Sequence, residues 1–207
     1  MNTRGRLLKT GLKLFSKKGY LGTTTKEIAR DAGIAEVTLF RHFPSKEKLF
    51  EEVIHNYSFL PALKELLPEI EKLPYEEGLR MIAKNFLHTL ALRKNLIRIM
   101  HSEIPQYPDK IKEIYHSLID EVRKTLASYF ADMQKRGTVR KFDPELSARA
   151  FLGMFLSYFN AENFLMRKKH ECIDTDVVIR EFVSLFARGT KKCNSNVSDI
   201  YERGHHV

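Results

Sequence analysis

Tryptophan is absent from the 207 residues, and cysteine occurs only twice, as Cys172 and Cys193. The two cysteines lie too far apart for a C-x-x-C redox or zinc hook, and one bridge would be a weak argument for an oxidising compartment. Both read as reduced thiols. Long apolar runs are missing too. The best, FLGMFLSYF at 151–159, falls short of the ~20 residues that a membrane span needs and is followed by Asn160 and Glu162. The opening MNTRGRLLKTGLK is basic but has neither the apolar stretch nor the small-residue cleavage site of a secretory signal. A cytoplasmic location with no membrane association is therefore expected. Catalytic signatures are equally scarce. There is no H-E-x-x-H, no G-x-S-x-G and no phosphate-binding glycine loop, and His101-Ser102-Glu103 lacks the spacing of a helix-borne zinc site. Adjacent His205 and His206 fall in a tail that reads as loose, which discounts them as a metal site. Neither an enzyme activity nor a cofactor is expected.

What is present is charge of one sign, unevenly placed. The chain carries a formal +9, and residues 1–50 hold eleven lysines and arginines against four acids, a balance of +7 that leaves +2 for residues 51–207. A basic head on a nearly neutral body is the footprint of a polyanion-binding module. Hydrophobic residues at 43% are enough to build a core.

Periodicity is helical nearly everywhere. Leu8, Gly11, Leu12 and Phe15 form one apolar face of a first helix over about 3–18, closed by Lys17, Lys18 and Gly19. Thr24-Thr25-Lys26-Glu27 fits a capping box and predicts a second helix over about 25–32. Gly33 can take the positive φ that ends a helix, and a third short helix follows at about 35–42. Ser45 is the N-cap of a fourth. Two brief helices about a glycine turn are too short to stand alone and must be held by packing. That arrangement is a helix-turn-helix, and a short helix suits the major groove of B-form DNA. Ile34, Leu39 and Phe43 face inward in this reading, leaving Glu36, Val37, Thr38, Phe40, Arg41 and His42 at the outer face.

The run from Phe15-Ser-Lys-Lys-Gly19-Tyr20 through Gly22-Thr-Thr-Thr-Lys-Glu-Ile-Ala29, Ala32-Gly33-Ile34 and Thr38-Leu39-Phe40-Arg-His-Phe43 to Ser45-Lys46-Glu47-Lys48-Leu49 closely resembles the DNA-binding domain of TetR-type transcriptional repressors. The resemblance covers about the first 50 residues. It implies that Thr25 touches phosphate, that Lys26 approaches the groove or phosphate, and that Glu36, Val37 and Thr38 meet bases. It also implies that Phe40, His42 and Lys46 clamp the sugar-phosphate backbone. Two positions depart from the family pattern, and Glu36 is an unusual candidate for base readout. Phe40 stands where Tyr is usual and has no hydroxyl for a phosphate, so it is assigned apolar contact with a thymine methyl or sugar, with Arg41 supplying the phosphate contact. Ala35 cannot cap the recognition helix. Glu36 has two readings: acceptance from a cytosine amino group, or an ion pair with a neighbouring basic side chain.

The expected architecture is all-α: a three-helix helix-turn-helix domain at 1–48, a helical bundle for effector binding and dimerisation at 49–190, and a loose tail at 191–207. Pro61, Pro68 and Pro74 punctuate the stretch after helix four. Further helices are expected over about 75–93, 95–103, 111–136, 144–168 and 175–188, with Pro105 and Pro108 bracketing a link. Small residues in the 144–168 helix, among them Ala150, Gly153 and Ser157, suit close helix approach, because a mid-helix glycine costs about 1 kcal/mol relative to alanine. With Val178, Phe182 and Leu185 on the last helix they form an expected homodimer interface. The alternative is packing within one protomer. Met81, Leu87, His88, Met100, His101, Tyr115, Ile119, Phe151, Phe155 and Tyr158 are the candidate walls of an apolar cavity with a few polar groups.

The function implied is a dimeric repressor that leaves a pseudo-palindromic DNA operator when an apolar small molecule binds its second domain. The rival is a ligand-carrying or protein-interaction module whose helix-turn-helix is only a packing unit.

Overall fold

The computed structural model describes residues 2–165 and 174–192, and among them the regular structure is helical apart from an isolated bridge between Val139 and Lys191. Cys172, Cys193, His205 and His206, and most of the expected tail, lie outside the described residues. Helix α1 (Thr3–Lys18) is capped by Asn2, whose side chain accepts from the Gly5 N–H at 2.8 Å, and buries Leu7, Leu8, Gly11, Leu14 and Phe15. Helix α2 (Thr25–Asp31) begins with the expected capping box: the Glu27 N–H donates to the Thr24 hydroxyl and the Thr24 N–H donates to the Glu27 carboxylate, each at 3.2 Å. Lys18 bonds the same carboxylate at 2.7 Å, and it is first among the partners that hold Glu27 below the usual carboxylate range.

The chain reverses at Gly33, which sits at φ +64°, while the Gly33 and Ile34 N–H groups return to the Arg30 and Ala29 carbonyls, each at 2.9 Å. Helix α3 (Glu36–His42) has no side-chain cap at Ala35, as its missing hydroxyl requires. Ser45 caps α4 (Lys46–Tyr57), accepting from the Lys48 N–H at 3.2 Å.

The stretch that Pro61, Pro68 and Pro74 punctuate is itself helical over most of its length. Helix α5 (Phe59–Ile70) contains both Pro61 and Pro68. Pro61 is in the first turn, where the missing N–H has no intrahelical partner to lose, and Pro68 disturbs only the last turn. Burial of Phe59, Leu60, Leu63, Leu66 and Ile70 on one face holds the helix. Helices α6 (Tyr75–Leu92), α7 (Lys94–Glu103) and α8 (Asp109–Lys135) follow, with a 3-10 turn at Ile104–Gln106. Helix α9 (Pro144–Asn160), capped by Asp143, widens into a π-helical turn at Ala161–Leu165, and the rest of its expected course, residues 166–168, lies outside the described residues. Helix α10 is Thr175–Thr190.

Two cores organise these helices. One joins α5, α6, α8, α9 and α10 around Phe130, whose ring centroid lies 5.5 Å from Phe186 and 6.3 Å from Phe151. The other belongs to the head but extends into the body, taking in Leu96 and Met100 from α7, Tyr107, and Ile111 and Leu118 from α8. A boundary after residue 48 therefore cuts through α4 and through a continuous core.

An alanine at Gly33 would be forced into the left-handed region, at a cost of about 1–2 kcal/mol. Gly33→Ala is expected to lower the urea midpoint of unfolding while leaving the m-value unchanged.

Candidate nucleic-acid interface and effector cavity

Helix α3 is anchored by Leu39 at its centre and Phe43 just past its end, both fully buried. Opposite them stand Val37, 63% exposed, and Phe40, 43% exposed, with Arg41 and His42 exposed and Thr38 half-buried. Ile34, expected inward, is half-buried against the head core. Lys26 and Arg41 are exposed, and neither has a carboxylate partner among the described residues. Glu36 makes no ion pair among the described residues: the Thr25 hydroxyl donates to its carboxylate at 2.8 Å, tying the first turn of α3 to the first turn of α2. The Arg6 guanidinium donates to the Ala32 and Gly33 carbonyls, setting a cation against the C-terminal end of α2 and bracing the turn. Nothing local marks Arg6 for this task, because its partners lie more than 20 residues downstream.

The head is joined to the body through Tyr20. Its backbone N–H donates to Glu103 at the end of α7 at 3.0 Å, and its hydroxyl donates to Glu47 of α4 at 2.8 Å. Its ring meets Phe50 and Tyr107 edge-on at centroid distances of 5.1 and 5.9 Å. Burial, then the Glu47 carboxylate, pushes the phenol well above its usual range. Lys46 places its ammonium 4.1 Å from the centroid of the same ring. Burial lowers the Lys46 pKa, opposed by Glu47 and Glu103. Gly19 is required here by its φ of +74°, and a Cβ would also displace the Glu103 carboxylate that the Tyr20 N–H bonds.

A cavity of about 410 Å³ opens in the body, within the range of about 300–1,000 Å³ common for small-molecule sites. Its walls come from the end of α4, the start of α5, the end of α6, and α7, α8 and α9. Among the sequence candidates, Met100, Tyr115 and Ile119 line it. Burial raises the Tyr115 phenol pKa. Met81 lies instead in a surface groove with Asp176 and Arg180, and His88 is exposed. Exposed His101 packs its ring against Phe164 at 6.0 Å. Leu87, Phe151 and Phe155 are buried in the body core, and Tyr158 packs on Phe182 at 6.4 Å. The division follows helix phase: Phe151 and Phe155 turn inward on α9, whereas Arg149, Leu152, Gly153 and Leu156 occupy the flank facing the cavity.

On the remaining face of α9, Ala150, Gly153 and Ser157 are exposed, together with Leu146 at 64%. A Cβ at Gly153 would meet nothing within 4 Å, so packing within the protomer does not require this glycine. On α10, Leu185 is 66% exposed, Val178 is buried, and Phe182 packs on Phe155 at 5.5 Å. Among the described residues no group of three or more metal-ligating side chains occurs, and no helix is long and apolar enough to cross a membrane.

Comparison with known proteins agrees with this geometry. Residues 7–53 match the family of bacterial regulatory proteins of the tetR type, and residues 77–189 match the C-terminal domain of AefR-like transcriptional repressors. The uncharacterized HTH-type transcriptional regulator YvkB of Bacillus subtilis is 30% identical over 157 residues, 76% of this chain and 81% of the relative. A crystal structure of a Mesorhizobium loti protein assigned to the TetR family superposes with a TM-score of 0.70 at 23% identity, covering 92% of this chain and 97% of that one. The structure of AibR in complex with isovaleryl coenzyme A and operator DNA superposes with a TM-score of 0.59 at 22% identity, covering 89% and 97%. At these identities the superpositions speak for the fold alone. With one matched region spanning more than half of the chain and the other the helix-turn-helix itself, the chain belongs to the TetR family of DNA-binding transcriptional regulators.

Proposed function

We propose that this regulator is a homodimeric, cytoplasmic repressor that binds a pseudo-palindromic operator and is released by a small molecule entering the α4–α9 cavity. The observation that carries the DNA reading is the outer face of α3. A seven-residue helix turns Val37 and Phe40 outward beside Lys26 and Arg41, which have no carboxylate partner among the described residues. Apolar groups set among cations suit thymine methyls and sugars flanked by phosphates. Val37, Thr38 and Phe40 then meet base edges or sugars, while Lys26, Arg41, His42 and Lys46 pair with phosphates. Glu36 stays tied to Thr25 or exchanges that bond for a cytosine amino group. Thr25 can reach phosphate through its hydroxyl only by giving up Glu36, since a hydroxyl has one proton to donate.

Dimerisation uses the exposed strip of Ala150, Gly153 and Ser157 with Leu185 of α10. Gly153 belongs both to this strip and to the cavity wall, so occupancy and dimer geometry share a residue. The two heads meet half-sites about 34–36 Å apart, or a multiple of that spacing. Helix α4 is one lever, with Ile54 and Tyr57 at the cavity and Lys46 and Glu47 at the head. Helix α7 is the other: Leu96, Ile97 and Met100 line the cavity and Glu103 holds Tyr20. An effector releases DNA only by binding the non-operator arrangement more tightly than the operator-bound one. The AibR structure, in complex with isovaleryl coenzyme A and operator DNA, shows that a protein of this fold takes both kinds of partner. No catalytic step enters this reading.

Selection from a random duplex pool tests it: an enriched, inverted half-site is expected, and the packing-unit rival predicts none. On the selected operator, log affinity should fall linearly with log salt, and Lys46→Ala should weaken all sequences evenly and reduce that slope by about 1. Thr38→Ala should instead relax preference at one position, by about 1–3 kcal/mol of discrimination. In a monomer, Gly153→Ala would add up to about 1 kcal/mol of helix stability. At a close interface it should weaken the dimer, which sedimentation equilibrium would read directly.

A further inference from the structure

The charge on the cavity wall is all of one sign. Arg93, Arg123 and Arg149 line a largely apolar space to which Tyr57, Ser58, Thr89 and Tyr115 add hydroxyls, and among the described residues no aspartate, glutamate, lysine or histidine lines it. The three guanidinium groups are unequally satisfied. Arg93 donates through Nε to the Tyr57 carbonyl at 3.0 Å and stacks over the Tyr57 ring at 5.1 Å, with no carboxylate partner among the described residues. Arg123 reaches Asp120 at 3.1 Å and Glu145 at 3.6 Å through Nη2, yet its Nε is buried without a partner among the described residues. Arg149 is exposed and makes no ion pair among the described residues. Arg123 and Arg149 belong to one end of the cavity, because Glu145, which Arg123 touches, lies one helical turn before Arg149 on α9.

A wholly apolar guest would satisfy the walls and leave this end unused. A guanidinium is a rigid, permanently charged fork suited to carboxylate and phosphate oxygens, and such charge-assisted bonds strengthen where water is excluded. We propose that the cavity takes a single-chain amphiphile with an anionic head, whose oxygens pair with Arg123 and Arg149 while its aliphatic chain lies among Phe59, Phe86, Met100 and Ile119. This rests on the reading of the cavity as the effector site and refines "apolar" to "apolar with one anionic end". Arg93, braced on Tyr57, closes the wall at the junction of α6 and α7 and links the occupied cavity to the end of α4.

The test uses three probes of equal chain length, below their micelle concentrations and at fixed ionic strength: dodecanoate, dodecyl phosphate and 1-dodecanol. Calorimetric titration of the full-length protein should show at least one of the two anions binding tenfold or more tightly than the alcohol, and which anion is favoured separates a carboxylate from a phosphate source. Arg149→Gln, at an exposed position with no ion pair among the described residues, should remove most of that preference and leave the alcohol unchanged. Arg123→Gln is the second variant, and thermal melting verifies that each folds. The inference is overturned if the alcohol binds as tightly as both anions, or if the variants weaken all three probes equally. If the alcohol binds equally well and releases the selected operator, the effector-site reading stands and only the anionic head falls. If no probe binds and none releases the operator, both fall together.

Discussion

Within the core that the head shares with α7 and α8, the most constrained residue is Tyr20, which is used on every side. Its N–H is held by Glu103 from α7, its hydroxyl by Glu47 from α4, its ring edge by Phe50 and Tyr107, and its ring face by the Lys46 ammonium. Two of these partners sit at the ends of helices whose other ends reach the cavity. A buried ring with a bonded hydroxyl tolerates little displacement, since moving it leaves Glu103 or Glu47 without its donor. In the proposed mechanism, small shifts of α7 or α4 pass to the head as a change of angle.

The same economy explains the short recognition helix. Seven residues cannot hold a helix alone, so α3 is stabilised from outside: Leu39 and Phe43 in the core, the Arg6 guanidinium on the turn, and the Thr25–Glu36 bond across the two N-terminal turns. What remains exposed is the face proposed to meet DNA. The uncapped end at Ala35 is the weak point of this arrangement, and the Thr25–Glu36 bond lies beside it.

Much of the head was legible because its signals are local. The Thr24–Glu27 box, the left-handed Gly33 and the Ser45 cap each act within a few residues, and the helices begin and end where those residues require. Helix α5 was hidden because two prolines outweigh its apolar spacing on inspection, although only one of them removes a hydrogen bond, and that in the final turn. The cavity was half legible. Helical spacing identifies which residues are apolar but not which side of α9 turns to the core and which to the hollow, so Phe151 and Phe155 were grouped with Met100 and Tyr115. Arg93, Arg123 and Arg149 carry no sequence signal of a cavity wall, because an arginine on an amphipathic helix reads as surface. The Tyr20–Glu103 contact, spanning 83 positions, has no signature in a single sequence.

Hydrogen exchange measured with and without a selected operator duplex tests most directly the claim that the head and the cavity helices move as one. Operator binding is predicted to change amide protection in α7 and at the C-terminal end of α4 as well as in α3, and Glu103→Gln to abolish the change in α7 while leaving that in α3. Protection gained in α3 with no change in α7 or the end of α4 would contradict the account.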